Sequence, residues 1–409
     1  MPRAMADLRP FQALRAHREL AGRICAPPYD VVSTEEARAL AAANPLTFLR
    51  VSRAEIDLPI GVDPHSEAVY ARARSNFQQM IQNGRLVLDA RPAYYVYRLT
   101  MAERSQTGLV ALVSCQEYLS GRVRPHELTR PDKEDDRLRH IQALSAQTGP
   151  AFLVYRSLPA LDLFLDQCCQ SKPATELVDE GGVRHAVWMC DGPAALASVR
   201  EAARHIQRLY IADGHHRTAA AVRVSVSLAN QTGSDCFLAV LFPHHQLRIL
   251  PYHRVVRDLN GRSPASIAAQ LGVVMELIQR DAQTQPGLHE VDVFLSGYWQ
   301  RYRFRNVPGD DASPVERLDV SLLQGEVLEP IFGIADPRRD ERIGFVGGIR
   351  GTDELERLVK NGSYACAFAL HPTRIEDMMV IADSGGLLPP KSTWFEPKLA
   401  DGLFTYLLS

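Results

Sequence analysis

The sequence predicts an α+β protein built from two lobes, and three observations carry that expectation. An apolar hairpin pattern spans residues 93–119. Strand-like and helix-like segments then alternate up to a break near residue 260, and a second run of mixed elements follows. The expected division is 1–260 and 261–409, with the first lobe holding a mixed sheet and the second an α/β arrangement.

The elements follow in chain order. "DVVSTEEARALAAANP" reads as a short helix, because Ser33 and Glu36 make a capping box and Asn44-Pro45 stops it. Val69, Ala73, Phe77, Met80 and Ile81 recur at helical spacing before Gly84, which predicts a helix over 66–83. "AYYVYRLTM" and "GLVALVSCQEYL" flank a polar Glu/Arg/Ser/Gln/Thr/Gly turn and form the hairpin. Strands are expected at "AFLVYRS" (151–157), "RLYIAD" (208–213), "CFLAVLF" (236–242) and "LRILPYHRVV" (247–256). A helix is expected at 194–207 and another after Arg217, ahead of "ANQTGSD". Beyond the break, Ser263-Pro264 starts a helix. "EVDVFLSGYWQRYRF", "RIGFVGGI" and "YACAFALHP" supply the remaining pieces, with "VGGIRG" (346–351) read as a hairpin turn.

Composition narrows the function classes. The 409 residues carry 46 basic and 48 acidic side chains, a net charge of -2, with no basic block. That balance argues against nucleic acid as the main partner. Seven cysteines, an odd number without C-x-x-C spacing, indicate neither a disulfide framework nor a zinc cluster. No stretch reaches the roughly 18 uninterrupted apolar residues of a membrane span. A cytoplasmic protein without a membrane partner is expected, with a homodimer left open.

The chemistry concentrates in "RLYIADGHHRTAAAVRV" (208–224), where Asp213, Gly214, His215, His216 and Arg217 join a strand to a helix. The first N–H groups of a helix have no backbone partner, and with the helix dipole they attract an anion. Gly214 admits close backbone approach, Arg217 can grip phosphate through two hydrogen bonds, and a histidine can donate or move a proton. Asp213 repels phosphate unless a cation intervenes, which suggests Mg2+ or base work on an alcohol. The bland alternative is a capped turn with solvated histidines; it explains neither His-His nor Arg.

Three further segments join the argument. "GRVRPHELTRPDKEDDRLRHIQ" (121–142) places thirteen titratable side chains in one connection, and its default reading is a solvated charged loop. Pro125 stiffens it before His126-Glu127. "CAPPYDVVS" offers Tyr29 and Asp30 after two prolines, and "PPKSTWFEPK" offers Lys391, Ser392, Thr393 and Lys398 without the glycines of a Walker A loop. His253 in "LPYHRVV" reads as a structural histidine at a strand end, and His244-His245 as surface residues.

"DGHHRTAAA" resembles the signature of the ParB/sulfiredoxin superfamily, which includes nucleotidases, sulfiredoxins and kinases of free L-serine. The wider chain resembles the domain-of-unknown-function 1015 family through "RPFQALR", "APPYDVVS", "NPLTFLRV", "RPHELT", "DDRL", "IADGHHR", "LPYHRVV", "LHPT" and "LPPKSTWFEPKLADGLF". The resemblance implies a ParB/sulfiredoxin-like phosphate-binding lobe. It also implies a kinase that moves a phosphoryl group from ATP, ADP or pyrophosphate, with Mg2+, to a small hydroxylated metabolite, L-serine first. On that expectation Gly214, His215, His216, Arg217, Thr218 and Lys391 bind phosphate, and Asp213 assists the metal or the hydroxyl. Glu127 is the base and His216 a catalytic partner. Asp30, Tyr29, Arg124, His126 and Arg137 hold the substrate, with Asp30 a rival base. Two other classes stand against it: a nucleotide-responsive DNA-binding regulator, and a metal-dependent hydrolase using Asp213, His215 and His216.

Overall fold

A computed structural model describes residues 6–227, 233–281 and 284–408. The chain forms two compact units, one of residues 1–247 with 397–409, the other of residues 248–396. The division thus falls at 247/248 and not at 260, for a reason visible in the pairing. Strand Tyr252–Val256 is hydrogen-bonded between two strands of the second unit, Ile343–Gly347 and Cys366–Leu370. The last residues return to the first unit, where Tyr406–Leu407 pairs with Ala146–Gln147.

The first unit is built on a nine-stranded mixed sheet. Its path runs Val123–Arg124, Leu209–Asp213, Ala151–Tyr155, Cys236–Pro243, Arg104–Ser114, Tyr94–Met101, Arg184–Cys190 and Thr175–Val178, with Leu8–Arg9 added on Arg104–Ser114. Two neighbours are parallel, Leu209–Asp213 with Val123–Arg124 and Cys236–Pro243 with Ala151–Tyr155; the others are antiparallel. "AFLVY" and "CFLAVLFP" are buried throughout, as continuous apolar runs in central strands should be. The hairpin turns on Ala102-Glu103, with Ala102 at φ +52°, so the polar run expected as a loop is the start of the second strand.

Helix His215–Ser227 packs on this sheet against Cys236–Pro243 and Ala151–Tyr155, and further helices surround it. In Thr34–Ala43 the Ser33 hydroxyl accepts from Glu36 N, and Ser33 N donates back to Glu36, completing the capping box. Glu67–Gln82 buries Val69, Ala73, Phe77 and Met80, while Ile81 is exposed. The charged stretch after His126 is only partly a loop: Pro131–Leu144 is a helix with Pro131 in its first turn. Its buried face carries Asp136 and His140 beside Ile141 and Leu144, which breaks the apolar periodicity that would have disclosed it. The helix after Asp213 runs His215–Ser227, so His215, His216 and Arg217 form its first turn; part of the following "ANQTGSD" lies outside the described residues.

The second unit holds a six-stranded antiparallel sheet in the order Met275–Arg280, Tyr298–Phe304, Glu290–Leu295, Cys366–Leu370, Tyr252–Val256, Ile343–Gly347. Ser263 caps helix Pro264–Val274. "LRILPYHRVV" is two strands, because Pro251 has no N–H for a ladder. "VGGIRG" is not a hairpin turn: a single 3-10 turn, Gly348–Arg350, leads into helix Gly351–Lys360. Glycine is needed there, since a Cβ on Gly347 would lie 2.8 Å from Trp394 and one on Gly348 2.7 Å from the Pro251 carbonyl. Among the described residues no helix is long and apolar enough to cross a membrane.

Candidate functional site

The site forms at the end of strand Leu209–Asp213 in the first unit. Gly214 adopts φ +85°, and a Cβ there would come within 3.1 Å of Arg217 Nε. The chain can therefore turn from strand to helix with the guanidinium folded back over the turn only at a residue without a side chain. Thr218 N and Oγ1 both bond the Gly214 carbonyl, at 2.9 and 3.1 Å. Thr218 is fully buried. Its hydroxyl, expected to bind phosphate, is engaged in closing the first turn.

Arg217 is the centre of the site. Its Nη1 donates to the Pro150 carbonyl at 2.8 Å, and Nη2 lies 3.8 Å from Asp213 and 4.0 Å from Asp30. Its Nε is buried with no hydrogen-bond partner among the described residues. Burial opposes the charge, but Asp30 and Asp213 outweigh it and hold the guanidinium protonated above its ordinary value. Asp213 Oδ2 accepts from Lys398 Nζ at 3.2 Å, and Oδ1 accepts from Gly214 N at 2.8 Å. Burial would raise this carboxyl; Lys398 and Arg217 prevail and hold it well below the usual carboxylate range. A carboxylate so acidic is a poor proton acceptor, so the role of general base does not suit Asp213.

The two histidines of the turn differ. His215 is buried, its ring edge-to-face on buried His126 with centroids 4.6 Å apart, and its Nε2 has no partner among the described residues. Burial first, and then His126, holds His215 neutral well below its ordinary value. Burial also lowers His126 to about 4, although a hydrogen bond to the Ile211 backbone opposes this. Both rings are thus neutral, and His215 can meet a phosphate as a hydrogen-bond donor but not as a cation. His216 is more open, and its Nε2 accepts from Arg130 N at 3.0 Å. The ring is thus a neutral tautomer with its proton on Nδ1, and burial lowers its basicity.

Segment 126–130 therefore lies against the turn at both ends, through His126 on His215 and Arg130 on His216. Half-buried Glu127 stands between those two contacts. Arg124 pairs in register with Tyr210, three residues before Asp213. On the other side, Arg137 stacks 3.9 Å over the Tyr29 ring and pairs with Asp136 through Nε at 2.9 Å. Asp401 completes the cluster. It is 2% exposed, Oδ2 accepts from Tyr29 N at 3.3 Å, and Oδ1 has no partner among the described residues. Burial pushes its carboxyl up to about 7, with Asp30 adding and Arg217 and Arg137 opposing. A small cleft is lined by Tyr29, Arg137, His140, Gly149, Arg217 and Asp401.

The structure thus gathers Asp213, Gly214, His216 and Arg217 with Tyr29, Asp30, His126, Glu127 and Arg137. Lys391 belongs to the second unit, at φ +56° with its ammonium 5.4 Å from the Tyr252 ring. Lys398 and Asp401 had no assigned role, though both stand in "PKLADGLF" at the end of the chain. Their partners lie 185 and 372 residues away, and no local pattern announces such a pairing. A resident Mg2+ does not fit Asp213, since an ammonium and a guanidinium already surround that carboxylate. Among the described residues no group of three or more His, Cys, Asp or Glu is placed to hold a metal.

A family model described as "Protein of unknown function (DUF1015)" matches residues 8–321. No curated protein sequence matches. Among solved structures, a free serine kinase in complex with AMP is similar at 12% identity, covering 70% of this chain and 86% of that one, with TM-score 0.37. SbnI from Staphylococcus aureus, truncated at its C-terminus, is similar at 11% identity, covering 73% and 87%, with TM-score 0.38. A conserved hypothetical protein from Pyrococcus furiosus is similar at 12% identity, covering 73% and 95%, with TM-score 0.36. At these scores the likenesses carry no functional weight.

Proposed function

The chain belongs to the DUF1015 family, and from that premise we propose that its first unit is a phosphotransferase acting on the hydroxyl of a small metabolite. One observation carries the reading: the buried, permanently charged Arg217, its Nε unpartnered, is folded over a glycine turn at the start of a helix. Phosphoryl transfer asks mainly for positioning and for charge around the transferred group. A guanidinium held by Pro150 O, Asp213 and Asp30 is already oriented, so little is lost when a phosphate meets it.

In this scheme Arg217 and the backbone N–H groups of the helix start bind the donor's phosphates. Asp213 does not take the proton; it fixes Lys398 and Arg217 at the turn. Glu127 is the base for the acceptor hydroxyl, and His216 offers its Nδ1–H to the reacting group. Asp30 provides a carboxylate for an acceptor ammonium, which puts L-serine first among acceptors. Mg2+ would enter on the donor's phosphates, without a cage of protein ligands. ATP, ADP and pyrophosphate all remain candidate donors.

The test crosses hydroxylated metabolites with the three donors and reads new phosphomonoesters by mass. The reading expects one acceptor, L-serine foremost, to gain a phosphate, and Glu127→Gln and Arg217→Gln each to lower the rate by about 100-fold or more. No phosphomonoester with any pair, or full activity in both variants, overturns it.

A further inference from the structure

The second unit holds a cleft that the reading above does not use. It lies among Leu288–His289, Pro314–Asp319 and His371–Asp377, and at about 210 Å3 it is small enough to favour a ligand of few atoms over a nucleotide.

His289 adopts φ +63°, a left-handed conformation unusual for a residue with a side chain. Asp319 holds it there. The backbone N of His289 donates to both Asp319 oxygens at 3.1 Å, and Nδ1 contacts Oδ1 at 2.9 Å. With Nδ1 engaged, the ring's other nitrogen, Nε2, is left for a ligand. His371 repeats the device: its Nδ1 lies 3.0 Å from the Pro286 carbonyl, which can only accept, so the Nδ1 proton is fixed and Nε2 again remains. Arg317 and Arg374 line the same cleft. Their partners are weak competitors, since Arg317 pairs with fully exposed Asp310, and Arg374 stands 3.9 Å from Asp377 and 4.0 Å from Glu376. The cleft also holds two carboxylates, Asp319, both of whose oxygens accept from His289 N, and Asp377, which stands 3.9 Å from Arg374, so the two arginines must offset these as well as a ligand.

We propose that this cleft binds the phosphate group of a small phosphate monoester, with His289 and His371 sharing protons with its oxygens and Arg317 and Arg374 balancing its charge. A phosphate monoester offers three oxygens and up to two negative charges, enough to meet both Nε2 atoms and both guanidinium groups at once. A carboxylate, with two oxygens and one charge, cannot meet all four groups. The lining belongs to the second unit and the turn at Gly214 to the first, so the proposal stands whether or not the first unit transfers phosphate.

Carbethoxylation of the full chain by diethyl pyrocarbonate, mapped by peptide mass, reads each histidine by itself. Methyl phosphate should slow modification of His289 and His371 by about tenfold, the scale of one or two charge-assisted hydrogen bonds, while acetate leaves both rates unchanged. Arg374→Gln, at an exposed position, and Arg317→Gln, at a half-buried one, should each reduce that protection. His216 in the same digest reports the first unit independently. Unprotected histidines, equal protection by acetate, or protection undiminished in both arginine variants overturns the proposal.

Discussion

Lys398 Nζ lies 3.2 Å from Asp213 Oδ2, joining residues 185 positions apart. The contact fastens the last segment of the chain to the end of the strand that carries the candidate site. Asp213 is a quarter exposed and keeps Arg217 at 3.8 Å, so the loss of Lys398 leaves it only partly uncompensated. Lys398→Met should destabilise the protein by about 1–2 kcal/mol at pH 7, read as a lower urea midpoint. Asp213 is more acidic folded than unfolded. Its contribution is therefore present above the unfolded value near 4 and fades as pH falls below it. The deficit of the variant should shrink in acid; a deficit constant down to pH 2 would contradict the pairing.

Asp401 gives the opposite sign. Its folded value, about 7, lies above the unfolded value near 4, so the stability it contributes is full below pH 4 and lost as pH rises through 7. Asp401→Asn removes that loss. Relative to wild type, the variant should gain on the order of 2–4 kcal/mol between pH 4 and pH 8. Buried His126 and His140, both lowered to about 4, work the other way by favouring the folded state as pH rises from 4 to 6.5. They are common to both proteins, so the difference isolates Asp401. Parallel stability curves would contradict the assignment.

Gly214→Ala places a Cβ 3.1 Å from Arg217 Nε at φ +85°. A loss of about 1–2 kcal/mol is expected from the backbone alone. Weaker pyrophosphate binding should accompany it, measured by titration calorimetry, because the guanidinium must move. An affinity equal to wild type would detach phosphate binding from this turn.

Thr218→Val separates the turn's architecture from its ligand. Among the described residues the hydroxyl bonds only the Gly214 carbonyl, so about 1 kcal/mol of stability should go while pyrophosphate affinity stays. A tenfold drop in affinity with intact stability would restore Thr218 as a ligand.

The sequence made the turn at Asp213 legible because strand, glycine, polar string and helix are contiguous there. The core strands were equally plain, since "AFLVY" and "CFLAVLFP" are apolar from end to end. Helix Pro131–Leu144 stayed hidden because its inner face carries Asp136 and His140, bonded to Tyr70 and to the Val51 carbonyl, in place of aliphatic side chains. The unit boundary was misplaced because strand pairing, not local composition, assigns residues 248–260 to the second sheet. The burial of His215 and Thr218 depends on what packs over the helix start, and a five-residue string does not encode that. Lys398 and Asp401 enter the site only through tertiary closure of the chain.

Amide hydrogen exchange across residues 209–220 tests the central claim most directly, with pyrophosphate, ADP and ATP added in turn. If the backbone around Gly214 cradles phosphate, at least one donor should slow exchange in that peptide in the wild type, and Arg217→Gln should abolish the effect. Saturating binding of all three donors with no protection at 209–220, or protection unchanged in Arg217→Gln, would contradict it.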